Sequence, residues 1–319
     1  MLDIEYLLLL QNFRNSTSNL LTPFMEWISL LAVTRLILLP AFVYWVVHKK
    51  SGFYTLVSYF LCCGINAVVK LTACIYRPWI RDARVVPAGN AIHTATGYSF
   101  PSGHVSTAGP MYGGLAVSAR KRAPWISVIC LTLLLVTAFS RNYLGVHTPQ
   151  DVAMALLEST LALFLVAKAF HYLEEHPEKE NLFLAGMFIF GWLAIVYITF
   201  KPYPMTYIDG ALLVDPQKMM NDGYGDIALL IAFPPARIIE RKWIRFREAG
   251  LSPKGILTGI IGLVPLWLMT RYMKSPLDHA LGSHWGHFMY SFILVVYVIA
   301  LFPAYVRLLW GEAEPGSEL

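Results

Sequence analysis

Charged residues are scarce in this 319-residue chain: aspartate, glutamate, lysine and arginine make up 14% of it, whereas hydrophobic residues make up 56%. In a soluble domain of average composition, about a quarter of the residues are charged. The apolar residues come in repeated blocks of roughly 17–25 residues, the length that crosses the hydrocarbon layer as a helix. These features exclude an ordinary soluble protein and predict an all-α polytopic membrane protein.

Cysteine is also rare, and all four cysteines (Cys62, Cys63, Cys74 and Cys130) lie inside apolar blocks. None looks like a disulfide partner or a metal ligand. Residues 1–27 have neither the basic start nor the small-residue cleavage site that is typical of a signal peptide. Their mixture of leucines and polar residues instead predicts an amphipathic helix that lies on the membrane surface.

The apolar blocks predict about nine spans, which in chain order are 28–48, 52–76, 101–118, 125–141, 149–172, 181–200, 223–239, 255–273 and 286–309. The dipeptide Pro234-Pro235 is expected to kink or end the seventh of them. The chain is therefore divided into an interfacial segment (1–27), a six-helix core (28–200), and a C-terminal extension and tail (201–319) with about three further spans.

Basic residues differ between the two ends of the predicted helices. One side holds Lys49-Lys50, Arg120-Lys121-Arg122, Lys168, Lys179 and six basic residues within 237–254. The positive-inside bias places these links in the cytoplasm, so the opposite helix ends face outward from what we expect to be a bacterial cytoplasmic membrane. The basic stretch 237–254 suits contact with inner-leaflet lipids rather than nucleic acid.

Three polar clusters interrupt the apolar blocks at the predicted outer side. They are Lys70 with Arg77-Pro78, then Pro101-Ser102-Gly103-His104, and finally Ser140-Arg141 with His147 and Asp151. Charged groups near a bilayer core are costly and rarely accidental. Three fixed cations, two histidines and one carboxylate suit the binding of a phosphate and the cleavage of its ester by way of a histidine.

The first two clusters each allow an ordinary interpretation beside a functional one. Lys70 and Arg77 are two helical turns apart, which predicts one shared helix face, although both side chains could simply extend to the headgroups. Ser102 could be the N-cap of the helix that starts here or could offer its hydroxyl to an oxyanion. The free N–H groups of this helix start, with Gly103 allowing close approach, are a ready anion site. His104 in its first turn could protonate a leaving oxygen, or could be a solvated histidine at an ordinary helix start.

The third cluster allows the same two interpretations. Arg141 offers a planar fork of donors for a phosphate. Thr148 and Pro149 predict a helix start, in which Asp151 is either a capping carboxylate or the acceptor that fixes the tautomer of His147. The two roles of Asp151 are compatible.

In order, the clusters read K-x6-RP, PSGH and SR-x5-H-x3-D. In this pattern the chain resembles the type 2 phosphatidic acid phosphatase (PAP2) superfamily, which also includes vanadium haloperoxidases and glucose-6-phosphatase-like enzymes. Every motif position is matched. The resemblance covers residues 70–151 closely and extends loosely to about 29–200, so the last three spans lie outside the common core.

The resemblance implies a role for each motif position. The phosphate oxygens would be held by Lys70, Arg77, Ser102, the Gly103 N–H and Arg141. His147 would attack phosphorus and form a phosphohistidine, and Asp151 would orient His147. His104 would protonate the leaving group and then activate water. No metal or other cofactor is implied, because the fixed cations neutralise the transferring group. The residues alone leave open which histidine attacks, since both begin helices beside cations.

The expected activity is that of a lipid phosphate phosphatase. Its substrate would be phosphatidic acid, phosphatidylglycerol phosphate, a sphingoid phosphate or an isoprenoid diphosphate such as undecaprenyl diphosphate. The alternative from another class is a non-catalytic transporter or scaffold that keeps an anion pocket, which the intact histidine pair disfavours because anion binding does not require it. A vanadium-dependent oxidant-forming enzyme is disfavoured by the many spans.

The sequence also suggests contacts for three arginines outside the clusters. Arg81 and Arg84, in the loop that follows the first cluster, are candidates for headgroup contacts, with a solvated set of loop charges as the default. Arg35, inside the first span, is expected to pair with Glu26 or to extend outward.

Overall fold

The computed structural model describes residues 2–34, 36–95, 97–208 and 210–312, so Arg35 and the tail from 313 lie outside the described residues. The helices are α1 (Leu2–Ser16), α2 (Thr22–Thr34), α3 (Leu38–Phe42), α4 (Lys49–Ala73), α5 (Pro78–Arg81), α6 (Gly103–Ala119), α7 (Pro124–Tyr143), α8 (Pro149–Glu175), α9 (Glu180–Phe200), α10 (Pro216–Ile239), α11 (Pro253–Tyr272), α12 (Lys274–Leu281), α13 (Ser283–Val296) and α14 (Phe302–Trp310). A short antiparallel hairpin, β1 (Tyr207–Ile208) and β2 (Ala211–Leu212), precedes α10.

Six helical segments are long and apolar enough to cross a membrane: Lys49–Arg81, Pro124–Tyr143, Pro149–Glu175, Pro177–Phe200, Pro253–Tyr272 and Ser283–Trp310. The bent pair Thr22–Val33 and Leu38–Val47 would make a seventh. The prediction of an all-α, polytopic integral membrane protein is confirmed. Of the nine predicted spans, those that correspond to α6 and α10 do not meet these criteria. The helix α6 has 17 residues, and α10 carries several charges but is largely buried within the protein.

The prediction for α10 needs two corrections. The helix begins at Pro216 rather than near 223, and Asp215 Oδ1 caps it by accepting a hydrogen bond from Gln217 N at 2.9 Å. It also continues through Pro234 and Pro235 to Ile239 instead of ending at them. The segment between residue 201 and the start of α10 is therefore shorter than predicted, and it includes the β1–β2 hairpin.

The end of α4 also differs from the prediction. The helix ends at Ala73, where Cys74 adopts a left-handed conformation and its N–H bonds to the Lys70 carbonyl. Pro78 then begins the short helix α5. Lys70 and Arg77 therefore do not lie two turns apart on one helix face, and that part of the sequence argument is wrong. Left-handed caps of this kind satisfy the last helical carbonyls.

Close packing of α6 places the polar clusters near one another. A Cβ added at Gly109 would lie 2.1 Å from Ser159 Oγ on α8, and one at Gly114 would lie 2.7 Å from Thr55 Oγ1 on α4. Small residues allow helix backbones to approach closely in membrane proteins. The middle of α6 is thereby packed closely against α8, and its C-terminal half against the N-terminal part of α4.

The first helix packs over the loop that follows α5. Arg14 is buried and donates hydrogen bonds to the carbonyls of Tyr143 (3.1 Å) and Val86 (2.8 Å). The next helix, α2, begins at Thr22, so it starts inside the segment 1–27 that the sequence separates from the core. The domain limits and the interfacial position of α1 stay predictions.

Candidate active site

Four helix ends bring the three clusters together: the C-terminal ends of α4 and α7 and the N-terminal ends of α6 and α8. The Ser102 N–H donates to the Asp151 carbonyl at 3.0 Å, which ties the start of α6 to the start of α8. Lys70 Nζ donates to the Pro101 carbonyl, which ties the end of α4 to the same loop. Residues that are far apart in sequence thus share one site.

His147 is held at both ring nitrogens and is only 1% exposed. Its Nδ1 lies 3.3 Å from Asp151 Oδ2, and its Nε2 lies 2.8 Å from Arg77 Nη1. An arginine side chain can only donate, so Nε2 must accept and the proton must reside on Nδ1. The Nε2 lone pair therefore points to the cationic side of the site.

The surroundings of His147 favour its neutral form. Burial lowers its pKa well below 6.5, and the positive charges of Arg77, Arg141 and Lys70 lower it further. A neutral imidazole keeps the lone pair that nucleophilic attack requires.

Asp151 has both of the roles expected from the sequence. Its Oδ2 accepts a hydrogen bond from the Thr148 N–H at 2.8 Å, and the Thr148 hydroxyl accepts one from the Asp151 N–H at 3.4 Å, which completes a capping box. The same Oδ2 faces His147 Nδ1. The capping geometry fixes the carboxylate that orients the imidazole.

Sequence reasoning missed Ser99, a buried residue whose hydroxyl donates to Asp151 Oδ2 at 2.5 Å and lies 3.4 Å from His147 Nδ1. Its only sequence signal was its position two residues before the Pro101-Ser102-Gly103-His104 cluster. The Ser99 N–H also bonds to the Ile75 carbonyl at 2.7 Å, which fixes the loop against the end of α4. Ser99 is thus a positioning residue for the carboxylate.

Replacing Ser99 with alanine is expected to lower kcat for the phosphate release expected from the sequence roughly 10- to 100-fold and to leave KM nearly unchanged, because a hydrogen bond to a charged group contributes about 1.5–3 kcal/mol. Steady-state kinetics of the purified variant test this. Ser99→Thr, which keeps the hydroxyl, should recover part of the loss. An alanine variant with wild-type kcat would show that Asp151 needs no support from Ser99.

Several buried polar atoms of the site have no hydrogen-bond partner among the described residues: Ser102 Oγ, His104 Nε2, Arg141 Nε and Arg141 Nη2. Ser102 occupies the N-cap position of α6, one of its two expected roles, but its hydroxyl makes no capping hydrogen bond. Arg141 uses only Nη1, which donates to Ser29 Oγ. Unsatisfied buried donors are costly, and these four atoms suit the oxygens of an anion.

A cavity of about 780 Å³ opens beside these groups, and its polar wall contains Lys70, Arg77, Gly103, His104 and His147. A Cβ added at Gly103 would meet no atom within 4 Å, so the first turn of α6 faces open space. Arg141 lines a neighbouring pocket of about 70 Å³, to which Leu30 and Thr94 also contribute. Ser102 and Asp151 are buried and do not line either space.

Arg81 and Arg84 lie outside the cavity lining. Arg81 pairs with Asp3 of α1 at 2.8 Å, and Arg84 pairs with Glu5 at 3.0 Å and with Asp82 at 2.7 Å. Hydrogen bonds from Arg84 lower the pKa of Asp82 to about 2. Their proposed contact with a headgroup stays a prediction.

Comparison with known families bears on these clusters directly. Residues 51–175 match the model of the PAP2 superfamily. The segment 51–175 belongs to the PAP2 superfamily. The matched segment runs from α4 to the end of α8 and contains all three polar clusters. Membership indicates a phosphatase that acts on phosphate esters. Neither the curated proteins nor the solved structures provide a match to the chain.

Helices outside the PAP2 segment complete the cavity. Its apolar lining includes Leu30 of α2, Leu229 of α10, Trp267 of α11 and Leu294 of α13. The sequence places the last three spans beyond the common core and assigns them no role. In the structure, α10, α11 and α13 form part of the wall of the cavity that residues of the three polar clusters also line.

Proposed function

We propose that this PAP2 protein is a membrane phosphatase that hydrolyses the phosphate monoester or diphosphate of a lipid. The observation that carries the proposal is the arrangement of His147 between Asp151 and Arg77, at the cationic end of a cavity whose other walls are apolar. The first feature suits nucleophilic attack on phosphorus, and the second suits an acyl or isoprenoid tail.

In the first step, His147 Nε2 attacks phosphorus and the bond from phosphorus to the leaving oxygen breaks. His104 donates a proton to that oxygen, so that an alcohol, or a phosphate in the case of a diphosphate, departs. Arg77, which donates to Nε2 at 2.8 Å in this structure, turns its donors to the phosphate oxygens. Asp151 stabilises the positive charge that develops on the imidazole.

In the second step, water attacks the phosphohistidine. His104 accepts a proton from the water, a new oxygen–phosphorus bond forms, and the bond from Nε2 to phosphorus breaks. Inorganic phosphate leaves and neutral His147 is restored. Lys70, Arg77 and Arg141 neutralise the transferring phosphoryl group, which is the task that metal ions perform in kinases and GTPases. The proposed reaction therefore requires no metal.

The proposed substrate carries an apolar tail that lies along the α2, α11 and α13 walls of the cavity. Phosphatidic acid, phosphatidylglycerol phosphate and sphingoid phosphates fit this description, as do isoprenoid diphosphates such as undecaprenyl diphosphate. The basic links lie at the helix ends opposite to the active site, which favours an outward-facing site under the positive-inside bias.

We expect the purified protein in detergent micelles to release phosphate from at least one member of a panel of these lipid phosphates. Vanadate, which mimics the pentacoordinate phosphorus, should inhibit strongly, and excess chelator should leave the rate unchanged. Colorimetric phosphate detection measures both effects. Absence of release from every lipid in the panel would refute the proposed function, and loss of activity in chelator would refute the metal-free scheme.

A further inference from the structure

A carboxylate of α10 lines the same cavity as the cationic groups. Asp226 makes no hydrogen bond or ion pair with any residue that the structure describes, in contrast to Asp151, Glu158 and Glu240, which all accept hydrogen bonds. Asp222, one turn earlier on α10, has a side chain that is 57% exposed and lies 3.8 Å from His287. Asp226 is therefore the inner of two acidic residues on this wall.

The position of Asp226 is unfavourable for phosphate binding alone. Asp226 lines the same cavity as Lys70 and Lys274, and Lys70 belongs to the proposed phosphate site. A carboxylate near a bound phosphate repels it, and this repulsion is stronger in a medium of low dielectric constant. An acidic group in such a cavity needs a compensating interaction with the ligand.

A second acceptor lies on the neighbouring helix. Asn66 is one turn before Lys70 on α4, is only 2% exposed, and lines the same cavity. Its Nδ2 donates to Ser106 Oγ at 2.8 Å and to Glu158 Oε2 at 2.9 Å, which fixes the orientation of the amide. Its Oδ1 makes no hydrogen bond to a described residue. Two oxygen acceptors in the cavity, on Asp226 and Asn66, therefore receive no hydrogen bond from any residue that the structure describes.

We propose that Asp226 accepts a hydrogen bond from a hydroxyl or ammonium group that the lipid substrate carries close to its phosphate. This inference rests on the proposed function and narrows its substrate class. Sphingoid base phosphates carry both groups, and lysophosphatidic acid and phosphatidylglycerol phosphate each carry a hydroxyl, so these lipids meet the requirement. Phosphatidic acid and isoprenoid diphosphates offer no such donor. On this basis the C-terminal extension selects the substrate, whereas the PAP2 segment performs the reaction.

The test measures kcat/KM in mixed micelles for a sphingoid base phosphate, lysophosphatidic acid and phosphatidic acid. Asp226→Ala should lower the value for the two donor-bearing lipids by roughly 10- to 100-fold, the range for a hydrogen bond to a charged group. The value for phosphatidic acid should change by less than about threefold on the same scale. Asp226→Asn keeps a hydrogen-bond acceptor but removes the negative charge. If the partner is an ammonium group, this variant should lower kcat/KM strongly, whereas with a hydroxyl partner the decrease should be smaller.

Glu178→Gln, in an exposed loop, is the matched control and should leave all three values at the wild-type level. Thermal unfolding in detergent verifies that the variants fold, and Asp226→Asn carries the comparison if the alanine variant does not. An equal change on all three lipids would assign Asp226 to the charge balance of Lys70 and overturn the inference. If the wild type hydrolyses phosphatidic acid or an isoprenoid diphosphate but neither donor-bearing lipid, this inference is wrong and the proposed function stands. Release from no lipid of the wider panel would instead refute the proposed function, and this inference with it.

Discussion

Replacing His147 with alanine is expected to lower the rate of phosphate release by at least about 10³-fold, because removing a nucleophile from a cooperating catalytic set abolishes its pathway. The side chain is buried and held between Asp151 and Arg77, and its Nε2 faces the cationic groups of the site. Initial rates of phosphate release on the preferred lipid measure the effect.

The matched control is His171→Ala. His171 lies on α8 like Asp151, but its side chain is 70% exposed and contacts Glu175 at 3.6 Å, so its removal should leave the rate unchanged. Release at the wild-type rate in His147→Ala would contradict the mechanism and leave His104 as the nucleophile. Acid-quenching of His104→Ala with labelled substrate adds a direct test, since slow hydrolysis should accumulate an acid-labile phosphoenzyme on His147.

Spacing along the chain predicted the parts of the site that depend on local structure. His147 and Asp151 are four residues apart at a helix start, and Thr148-Pro149 marks that start, so their contact could be inferred from the sequence. Ser99 could not be inferred, because its contact with Asp151 depends on the path of a loop without periodic structure. Ser102 takes the predicted N-cap position of α6, but the sequence could not show that its hydroxyl is buried without making a capping hydrogen bond.

Hydropathy predicted the fold well where a helix faces lipid, and less well where it packs against other helices. The helix α10 packs inside the bundle, so it tolerates Asp226 and Arg237 and gives a weak apolar signal. The end of α4 at Ala73 follows from the left-handed Cys74, which no pattern in the sequence indicates. The contribution of α10, α11 and α13 to the cavity results from tertiary packing, so it could not be predicted from the sequence of each segment alone.

At the opposite end of the bundle, replacing Arg237 with methionine is expected to lower the free energy of unfolding by about 3–5 kcal/mol. Arg237 is 1% exposed and donates to Glu180 Oε1 at 2.8 Å and to Glu240 Oε2, while Lys49 Nζ donates to Glu240 Oε1 at 2.7 Å. Loss of the guanidinium would leave two buried carboxylates with too little positive charge. Denaturant unfolding in detergent measures the change.

Lys50→Met is the matched control. Lys50 follows Lys49 of the buried network in sequence, but the side chains of its pair with Glu174 are 45% and 36% exposed. Exposed pairs contribute about 0–1 kcal/mol, so this variant should unfold almost like the wild type. Equal losses in the two variants would contradict the importance of burial. The Arg237 network and the polar clusters of the candidate site lie at opposite ends of α4. At a low temperature at which Arg237→Met is folded, the variant should therefore release phosphate at the wild-type rate. A lower rate would show that the two ends are coupled.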